Sequence, residues 1–247
     1  MTTEAPNDPL FISSVARAMT VLRTIGDAPA PMAVSDIARS VQITQSTTWR
    51  ICYTLQKLGY VRSDAQGLFS PGLQLLAMGH AAVAAGSLEE QARPLLNGLV
   101  ARLDSVAGIA VRDGDDMVYM CRVESDQAML TMNLRAGSRV PILTSAMGWA
   151  YLAALPEGAR STLLGQLRRR HAPVHARVID ALGKEMRRFV QDGFVLNMQV
   201  FHPNVAFVGV PFIHPGTGEV YAFNCGGVSA SMTPAQLRRR PRRFPGG

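Results

Sequence analysis

The chain is poor in cysteine and in long apolar runs, and each shortage argues against a class of protein. Its three cysteines, Cys52, Cys121 and Cys225, are far apart and have no Cys-x-x-Cys spacing, which argues against a disulfide framework and a zinc site. No apolar run approaches the ~18 residues that a membrane-spanning helix needs. Residues 1–9 do not form a basic stretch followed by an apolar core, as a secretion signal does. We therefore expect a cytoplasmic protein with no membrane partner, no metal and no cofactor.

Motifs of common enzymes are also missing. The sequence contains no Walker loop, no Gly-x-Ser-x-Gly elbow and no His-Glu-x-x-His motif. His171 and His175 are four residues apart, but Pro173 disrupts the helical face that a metal-binding pair would need. Neither Cys121 nor Cys225 is adjacent to a histidine in sequence, and buried packing is the expected role of both. We predict that the protein is not an enzyme, with a Cys–His pair formed by folding as the less favoured alternative.

Positive charge is present but unevenly distributed along the 247 residues. The net charge is +7, of which residues 1–80 carry +1, residues 81–164 carry −2 and residues 165–247 carry +8. Five arginines lie between positions 238 and 243, in an Arg/Pro-rich tail over 236–247 that we expect to be solvated. The basic composition alone therefore does not predict nucleic-acid binding.

The first 72 residues show the periodicity of three short helices followed by a hairpin. Residues 60–63 and 68–70 flank a polar turn and predict the two strands. This order is typical of a winged helix-turn-helix domain. The predicted helices are 13–26, capped by Ser13 or Ser14 and stopped at Gly26; 34–40, capped by Ser35; and 44–58, capped by Thr44 and ended by Gly59.

The rest of the chain predicts a connector and then an α+β sensor-like domain. Residues 73–103 are helix-rich, with breaks near Gly86 and at Pro94. From Gly108 onward, short apolar runs and polar turns alternate with two helical patterns. The predicted elements are strands at 109–111, 117–123, 130–134, 205–212 and 220–224, and helices at 145–154 and 177–191.

The third predicted helix opens with side chains suited to DNA. Gln45 can bridge the N6 and N7 atoms of adenine, and the methyl groups of Thr47 and Thr48 can contact thymine. Such hydroxyls are often only caps or solvated surface, but their position after a tight turn favours base and phosphate contacts. The predicted DNA-binding residues are Arg17, Ser35, Thr44, Gln45, Ser46, Thr47, Thr48, Arg50 and, in the wing, Arg62 and Gln66.

Several stretches occur in the order found in one family of bacterial regulators. They include Ser46-Thr-Thr-Trp-Arg50 and Gly137-Ser-Arg-Val-Pro141, and the full set is 14–22, 34–39, 46–50, 55–61, 137–141, 144–148, 193–194 and 208–211. With these stretches the chain resembles the IclR family of transcriptional regulators. The resemblance implies an α+β protein in which a winged helix-turn-helix (1–72) is joined by a linker helix (73–92) to a GAF-like effector-binding domain (93–235). It also implies a homodimer or homotetramer that binds double-stranded DNA at a palindromic operator.

The resemblance further implies a pocket for a small-molecule effector of unknown identity. Asn197 stands where small-acid-binding members have an acidic residue, and Phe207 stands where they have cysteine. Asn224 and Gly226 replace paired serines, so the expected effector is more apolar than a small keto acid. Core packing is the alternative role for Met129, Met147 and Phe207. The implied pocket residues are Met129, Ala146, Met147, Asn197, Phe207, Asn224 and Gly226.

The expected function is that of a ligand-responsive, sequence-specific transcription regulator, acting as a repressor and associated with the nucleoid when bound to DNA. The alternative is a regulator that has lost its effector and binds DNA constitutively. The end of the chain departs from the family, because Pro241 breaks the expected terminal helix and an arginine-rich tail replaces it.

Overall fold

A computed structural model describes residues 9–84, 88–126, 132–171, 176–230 and 232. The chain divides into two compact units, residues 1–86 and 87–247. Within the described ranges, no helix is long and apolar enough to cross a membrane. Met129, His175 and the tail at 236–247 lie outside the described residues, so the predictions made for them are not addressed by the structure.

The first unit is the predicted winged helix-turn-helix, packed around one apolar core. The core is built from Val21, Ile25, Ile37 and Cys52, all nearly inaccessible to solvent. The two strands pair antiparallel and form the wing. The elements are α1 (Ser13–Asp27), α2 (Val34–Val41), α3 (Gln45–Lys57), β1 (Val61–Ser63), β2 (Phe69–Pro71) and α4 (Leu73–Ala84).

Helices α1 and α2 begin at Ser13 and Val34 as predicted, but the caps predicted for them are wrong. The residue before α1 is Ile12 and the residue before α2 is Ala33, and neither offers a side-chain cap, so Ser13, Ser14 and Ser35 are not caps. Gly26 does not stop α1, which continues to Asp27 and ends before Pro29. The residue before a proline is pushed toward extended backbone, and this accounts for the end of the helix.

The second unit contains a six-stranded antiparallel sheet in the order β5-β4-β3-β8-β7-β6. Helix α6 covers one face together with α7 and α8, and α5 covers the other. The strands are β3 (Val106–Asp113), β4 (Asp116–Glu124), β5 (Arg139–Pro141), β6 (Val195–Met198), β7 (Val205–Ile213) and β8 (Val220–Val228); the helices are α5 (Leu88–Leu103), α6 (Ala146–Ala154), α7 (Glu157–Arg170) and α8 (Ala176–Asp192). The predicted α+β class is confirmed.

Three elements of this unit, β5, β6 and α7, were not predicted from the sequence. The structure also differs from the sequence prediction at Pro94 and at residues 132–134. β5 and β6 are only three and four residues long, and α7 is rich in arginine and has no clear apolar face. Pro94 does not interrupt the helix but lies inside α5. Residues 132–134, the described part of the strand predicted at 130–134, form no strand.

Two glycines allow the start of α6 to pack closely, Gly209 against the sheet and Gly148 against the turn that precedes the helix. A Cβ atom on Gly209 of β7 would lie 2.2 Å from the carbonyl oxygen of Ala146, at the start of α6. A Cβ atom on Gly148 would lie 2.2 Å from the carbonyl oxygen of Ile142. Contacts this short do not occur between real Cβ atoms and backbone, so both positions require glycine. The N-terminus of α6 is thereby held against the face of the sheet.

Candidate DNA-binding and effector sites

The turn between α2 and α3 sets the direction of the third helix. Gln42 adopts a left-handed conformation, with φ of 55°, and its backbone N–H donates to the carbonyl of Ala38. The Oγ1 of Thr44 accepts a hydrogen bond from the backbone N–H of Thr47 at 3.3 Å, which makes Thr44 the N-cap. This cap was predicted from the sequence and is confirmed.

Helix α3 buries one face and exposes the residues expected to read DNA. Its buried face consists of Thr48, Cys52 and Leu55. Gln45, Ser46 and Arg50 are exposed, whereas Thr47 is half-buried with its hydroxyl 2.9 Å from that of Thr44. The first turn therefore presents amide and hydroxyl groups to solvent, and the next turn presents a guanidinium.

The structure contradicts one predicted contact. Thr48 is fully buried, and its hydroxyl donates to the carbonyl of Thr44 at 3.0 Å. Its methyl group therefore belongs to the core of the first unit and cannot reach a thymine. The spacing explains the error: Thr48 is four residues before Cys52 and seven before Leu55, which places it on the inner face of the helix.

The remaining DNA-binding candidates divide into those near the third helix and those elsewhere on the unit. A groove of about 400 Å³ brings Arg17 of α1 together with Thr44 and Thr47. Ser35, Arg62 and Gln66 are exposed but do not line this groove. In the wing, the Nε of Arg62 donates to Ser70 Oγ at 3.0 Å, so its guanidinium is held on the strand.

Two exposed aromatic residues on α3 were not predicted as site residues. The rings of Trp49 and Tyr53 stack with centroids 5.3 Å apart, and the Nζ of Lys57 lies 5.3 Å from the centre of the Tyr53 ring. Both rings are about half exposed. Their spacing of four residues was the signal available in the sequence, since it places them on one side of a helix.

In the second unit, a small cavity lies between the start of α6 and the sheet. It measures about 10 Å³ as the space open to the centre of a water molecule, which is room for about one water. Its lining residues are Tyr119, Arg122, Met132, Leu134, Val140, Ser145, Ala146, Met147, Phe201, Phe207 and Asn224.

Four of the implied effector residues line this cavity, and two others that the structure describes, Asn197 and Gly226, do not. Ala146, Met147, Phe207 and Asn224 are among its walls. Asn197 is buried elsewhere, with its Nδ2 donating to the carbonyl of Thr144 at 2.8 Å and its Oδ1 accepting from the N–H of Phe201 at 3.2 Å. Its amide thus holds two loops together.

Gly226 acts on the cavity indirectly. It lies opposite Phe207 on the neighbouring strand, and a Cβ atom at Gly226 would be 2.5 Å from the Phe207 ring. Because Gly226 has no side chain, the Phe207 ring can occupy this position. Met129 lies outside the described residues.

Tyr119 and Arg122 are cavity residues that sequence reasoning missed. Residues three apart on a regular strand point to opposite faces. The register between β3 and β4 shifts between Ile109 and Ala110, so that Ile109 pairs with Cys121 and Ala110 pairs with Tyr119. This β-bulge turns both Tyr119 and Arg122 toward the cavity, and no sequence pattern marks it.

The polar groups of the cavity are incompletely paired. Asn224 Nδ2 donates to the hydroxyl of Tyr119 at 2.9 Å, while the Nε of Arg122 and the Oδ1 of Asn224 are buried with no hydrogen-bond partner among the described residues. Burial lowers the pKa of the Arg122 guanidinium and raises the pKa of the Tyr119 hydroxyl. Both shifts reflect the cost of charge in a site with little water.

The start of α6 adds a favourable environment for negative charge. Ser145 caps the helix, its Oγ accepting from the N–H of Gly148 at 3.0 Å. The free N–H groups of a helix's first turn carry partial positive charge, and Ala146 and Met147 of this turn line the cavity. Among the described residues, no group of three or more His, Cys, Asp or Glu side chains is placed to hold a metal ion.

Residues 14–65 match the IclR helix-turn-helix domain, and residues 80–242 match the C-terminal domain of the bacterial transcriptional regulator IclR. The chain belongs to the IclR family. It is therefore a transcriptional regulator with an N-terminal DNA-binding domain and a C-terminal effector-binding domain.

Individual IclR relatives agree with this assignment along most of the chain. The crystal structure of an IclR family regulator from Brucella abortus is 30% identical, with a TM-score of 0.80, over 97% of this chain and 90% of that one. The Pca regulon regulatory protein of Pseudomonas putida is 26% identical over 94% of this chain and 80% of its own length. An IclR homologue from Microbacterium hydrocarbonoxydans, solved in complex with 4-hydroxybenzoate, is 19% identical, with a TM-score of 0.75, over 91% of this chain and 92% of that one.

Proposed function

We propose that this IclR-family regulator represses transcription by binding a palindromic operator as a homodimer or homotetramer. The observation that carries the proposal is the exposed start of α3, where Gln45 and Ser46 in the first turn and Arg50 in the second follow a tight turn and a capped N-terminus. Recognition helices place their N-terminal residues against base edges in the major groove. A relative named the acetate operon repressor, from Salmonella typhimurium, supports repression as the mode of action.

Within this proposal, the DNA contacts divide by chemistry. Gln45 and Ser46 face the bases, while Arg17 and Thr44 lie around the groove beside α3 and suit phosphate contacts. Thr47 lies beside them, half-buried, and Arg62 and Gln66 place the wing against the backbone. Ser35 is the proposed DNA contact on the exposed side of α2.

Assembly of more than one copy is part of the proposal, for reasons of charge and surface. Residues 1–80 carry a net charge of only +1, so one DNA-binding domain gains little from releasing counterions. The start of α1 exposes Val15 and Met19, and α4 exposes Leu73 and Leu76, each at least half accessible. Apolar side chains exposed side by side on a helix are typical of a surface that a second copy covers.

The proposed domains are a DNA-binding domain at 1–72, a linker helix at 73–92, an effector-binding domain at 93–235 and an Arg/Pro-rich tail at 236–247. We place the protein in the cytoplasm, associated with the nucleoid when it is bound to DNA. It regulates and does not catalyse. The relative bound to 4-hydroxybenzoate supports a small molecule as the effector of the second domain.

The proposed effector site is the cavity beneath α6. Ala146, Met147, Phe207 and Asn224 contact the ligand, joined by Tyr119 and Arg122. Asn197 and Gly226 shape the site from outside, and Met129 stays a candidate from the family resemblance.

The test is a nuclease footprint on the DNA that flanks the protein's own gene, repeated with candidate metabolites. We expect a protected palindrome that is lost with Arg50→Ala and kept with Arg23→Ala, a matched control because Arg23 is an exposed α1 arginine outside the predicted contacts. No sequence-specific protection would contradict the proposal. A footprint that no metabolite changes would favour the constitutive regulator.

A further inference from the structure

Helix α3 carries a row of exposed side chains at four-residue spacing. Residues four apart on a helix are neighbours on its surface, so Gln45, Trp49, Tyr53 and Lys57 follow one another along one side. At a rise of 1.5 Å per residue, the row is about 18 Å long. Along it, an amide is followed by two aromatic rings and an ammonium group.

The two rings form one exposed apolar surface. They are stacked, with their planes inclined by 18°, and Trp49 is 51% exposed and Tyr53 46%. The ammonium group of Lys57 lies near the Tyr53 ring in a cation–π contact. Stacking therefore holds the indole of Trp49 in one orientation while about half of its surface stays open to solvent.

The exposure of Trp49 contrasts with the other tryptophan of the chain. Trp149 is buried, and its Nε1 donates to the carbonyl of Leu143 at 2.8 Å. A tryptophan gains much free energy when its large ring leaves water, and Trp49 and Tyr53 together leave two such rings only half covered. Large apolar side chains exposed side by side indicate a surface that a partner covers.

The charges around the rings favour DNA as this partner. Between Gln45 and Lys57 the helix contains no Asp or Glu, and its two charged side chains, Arg50 and Lys57, are exposed cations. In the sequence, Trp49 lies between Ser46 and Arg50, which the proposed function places against the operator. A protein bound to the rings would compete with the operator, whereas DNA can contact the rings and the cations together.

Within DNA, the chemistry of the indole points to thymine. Trp49 lies on the side of α3 that faces the wing, because Gln56, seven residues later on the same side, donates from Nε2 to Ser63 Oγ of β1 at 2.8 Å. The apolar group that bases present in the major groove is the C5 methyl of thymine. The amide of Gln45 cannot recognise a methyl group, but the ring of Trp49 can pack on it.

We propose that Trp49 contacts the methyl group of a thymine in the operator and thereby selects thymine at that position. Trp49 is four residues, or about 6 Å, beyond Gln45, which places this thymine about two base pairs from the base that Gln45 contacts. Tyr53 holds the indole in place, and Lys57 binds a phosphate at the end of the row. This inference rests on the proposed function, because it requires α3 in the major groove.

The experiment exchanges thymine for deoxyuridine, one position at a time, in the fragment that the protein protects beside its own gene. The exchange removes the methyl group and keeps the base pair. In anisotropy titrations with the full chain, we expect one position in each half-site where the exchange weakens wild-type binding about three- to fivefold, the range for one buried methyl group. With Trp49→Ala, the same exchange should leave affinity unchanged, because the methyl group has already lost its partner.

Further variants separate this contact from a general effect on the helix. Tyr53→Phe keeps the stacked ring and should keep the loss of affinity on methyl removal, whereas Tyr53→Ala should reduce that loss. The matched control is Leu58→Ala, which removes an exposed apolar side chain just after α3 and outside the row. It should change neither the affinity nor the effect of the methyl group. Circular dichroism checks that each variant is folded.

The inference is overturned if no exchange weakens wild-type binding, or if an exchange weakens Trp49→Ala as much as the wild type. If Trp49→Ala keeps the effect of the methyl group but sediments as a smaller species, a second copy of the chain covers the rings and the contact with thymine is wrong. Failure of the proposed function looks different. The wild type would then protect no sequence, or Arg50→Ala would bind as tightly as the wild type, and the inference would fall with the function.

Discussion

The close packing of α6 on the turn that precedes it makes Gly148→Ala a sharp test of how the effector domain is built. The added Cβ atom would lie 2.2 Å from the carbonyl oxygen and 2.3 Å from the Cα atom of Ile142. Ordinary contacts begin at 3.4 Å, so the helix or the Ile142 backbone must retreat by about 1 Å. Neither atom belongs to a flexible side chain that could turn away.

The size of the effect follows from two opposing terms. Overpacking a rigid site lowers the free energy of unfolding by about 3 kcal/mol, the upper end of the usual range. Replacing a helical glycine by alanine raises it by up to ~1 kcal/mol. The net loss is about 2 kcal/mol, which lowers the melting temperature of a domain of this size by about 4 to 8 °C. The effector should also bind more weakly, since Ala146 and Met147 of the shifted helix line the cavity.

Differential scanning calorimetry measures the melting of the effector domain directly. The matched control is Gly98→Ala, at an exposed position inside α5 where an added Cβ atom meets nothing within 4 Å. The control should stabilise the same domain by about 0.5 to 1 kcal/mol. If Gly148→Ala is as stable as the wild type, the glycine is not needed and the packing described for α6 is wrong.

Three further predictions concern single side chains. In a mobility-shift assay, Thr47→Ala should weaken operator binding by about 1 kcal/mol if the Thr47 methyl group contacts a base, whereas Thr48→Val should leave operator affinity unchanged because Thr48 is buried. A loss of operator affinity with Thr48→Val alone would reverse the roles assigned to Thr47 and Thr48. Ser145→Ala should lower the free energy of unfolding in urea by about 1 kcal/mol, because the N–H of Gly148 loses its cap, and an unchanged midpoint would argue against the cap. Burial raises the pKa of the Cys52 thiol from 9.0 to about 11, so this thiol should resist iodoacetamide at pH 8 in the folded protein. The stability that the buried neutral thiol contributes should be lost as the pH rises through about 11. Rapid labelling of Cys52 at pH 8 would contradict its burial.

The DNA-binding helix could be predicted from the sequence because its signals are local. Thr44 caps α3 as expected, since a hydroxyl just before an amphipathic run can reach the first turn. The same logic failed at Ser35, where Ala33 precedes the helix without a side-chain cap. Thr48 was misjudged because its polar hydroxyl finds a partner one turn back in the same helix and is buried with it.

The effector cavity could be predicted only in part, because its chemistry depends on pairing between distant strands. Ala146 and Phe207 were implied by the family resemblance and do line the cavity. Arg122 gave no signal, since a bulge in β4 decides which face it occupies. Asn197 was expected in the pocket, but its amide is used to join Thr144 and Phe201. Neither fact is visible without the register of the sheet.

In the proposed function, α3 is the recognition helix with which a ligand-controlled regulator binds its operator. Fluorescence anisotropy with labelled DNA from the protein's own promoter tests it most directly, with wild type, Arg50→Ala and Arg23→Ala compared at one salt concentration. We expect Arg50→Ala to weaken binding by about 1 to 3 kcal/mol and Arg23→Ala to leave it unchanged. Equal affinity of the wild type and Arg50→Ala for this DNA would contradict it.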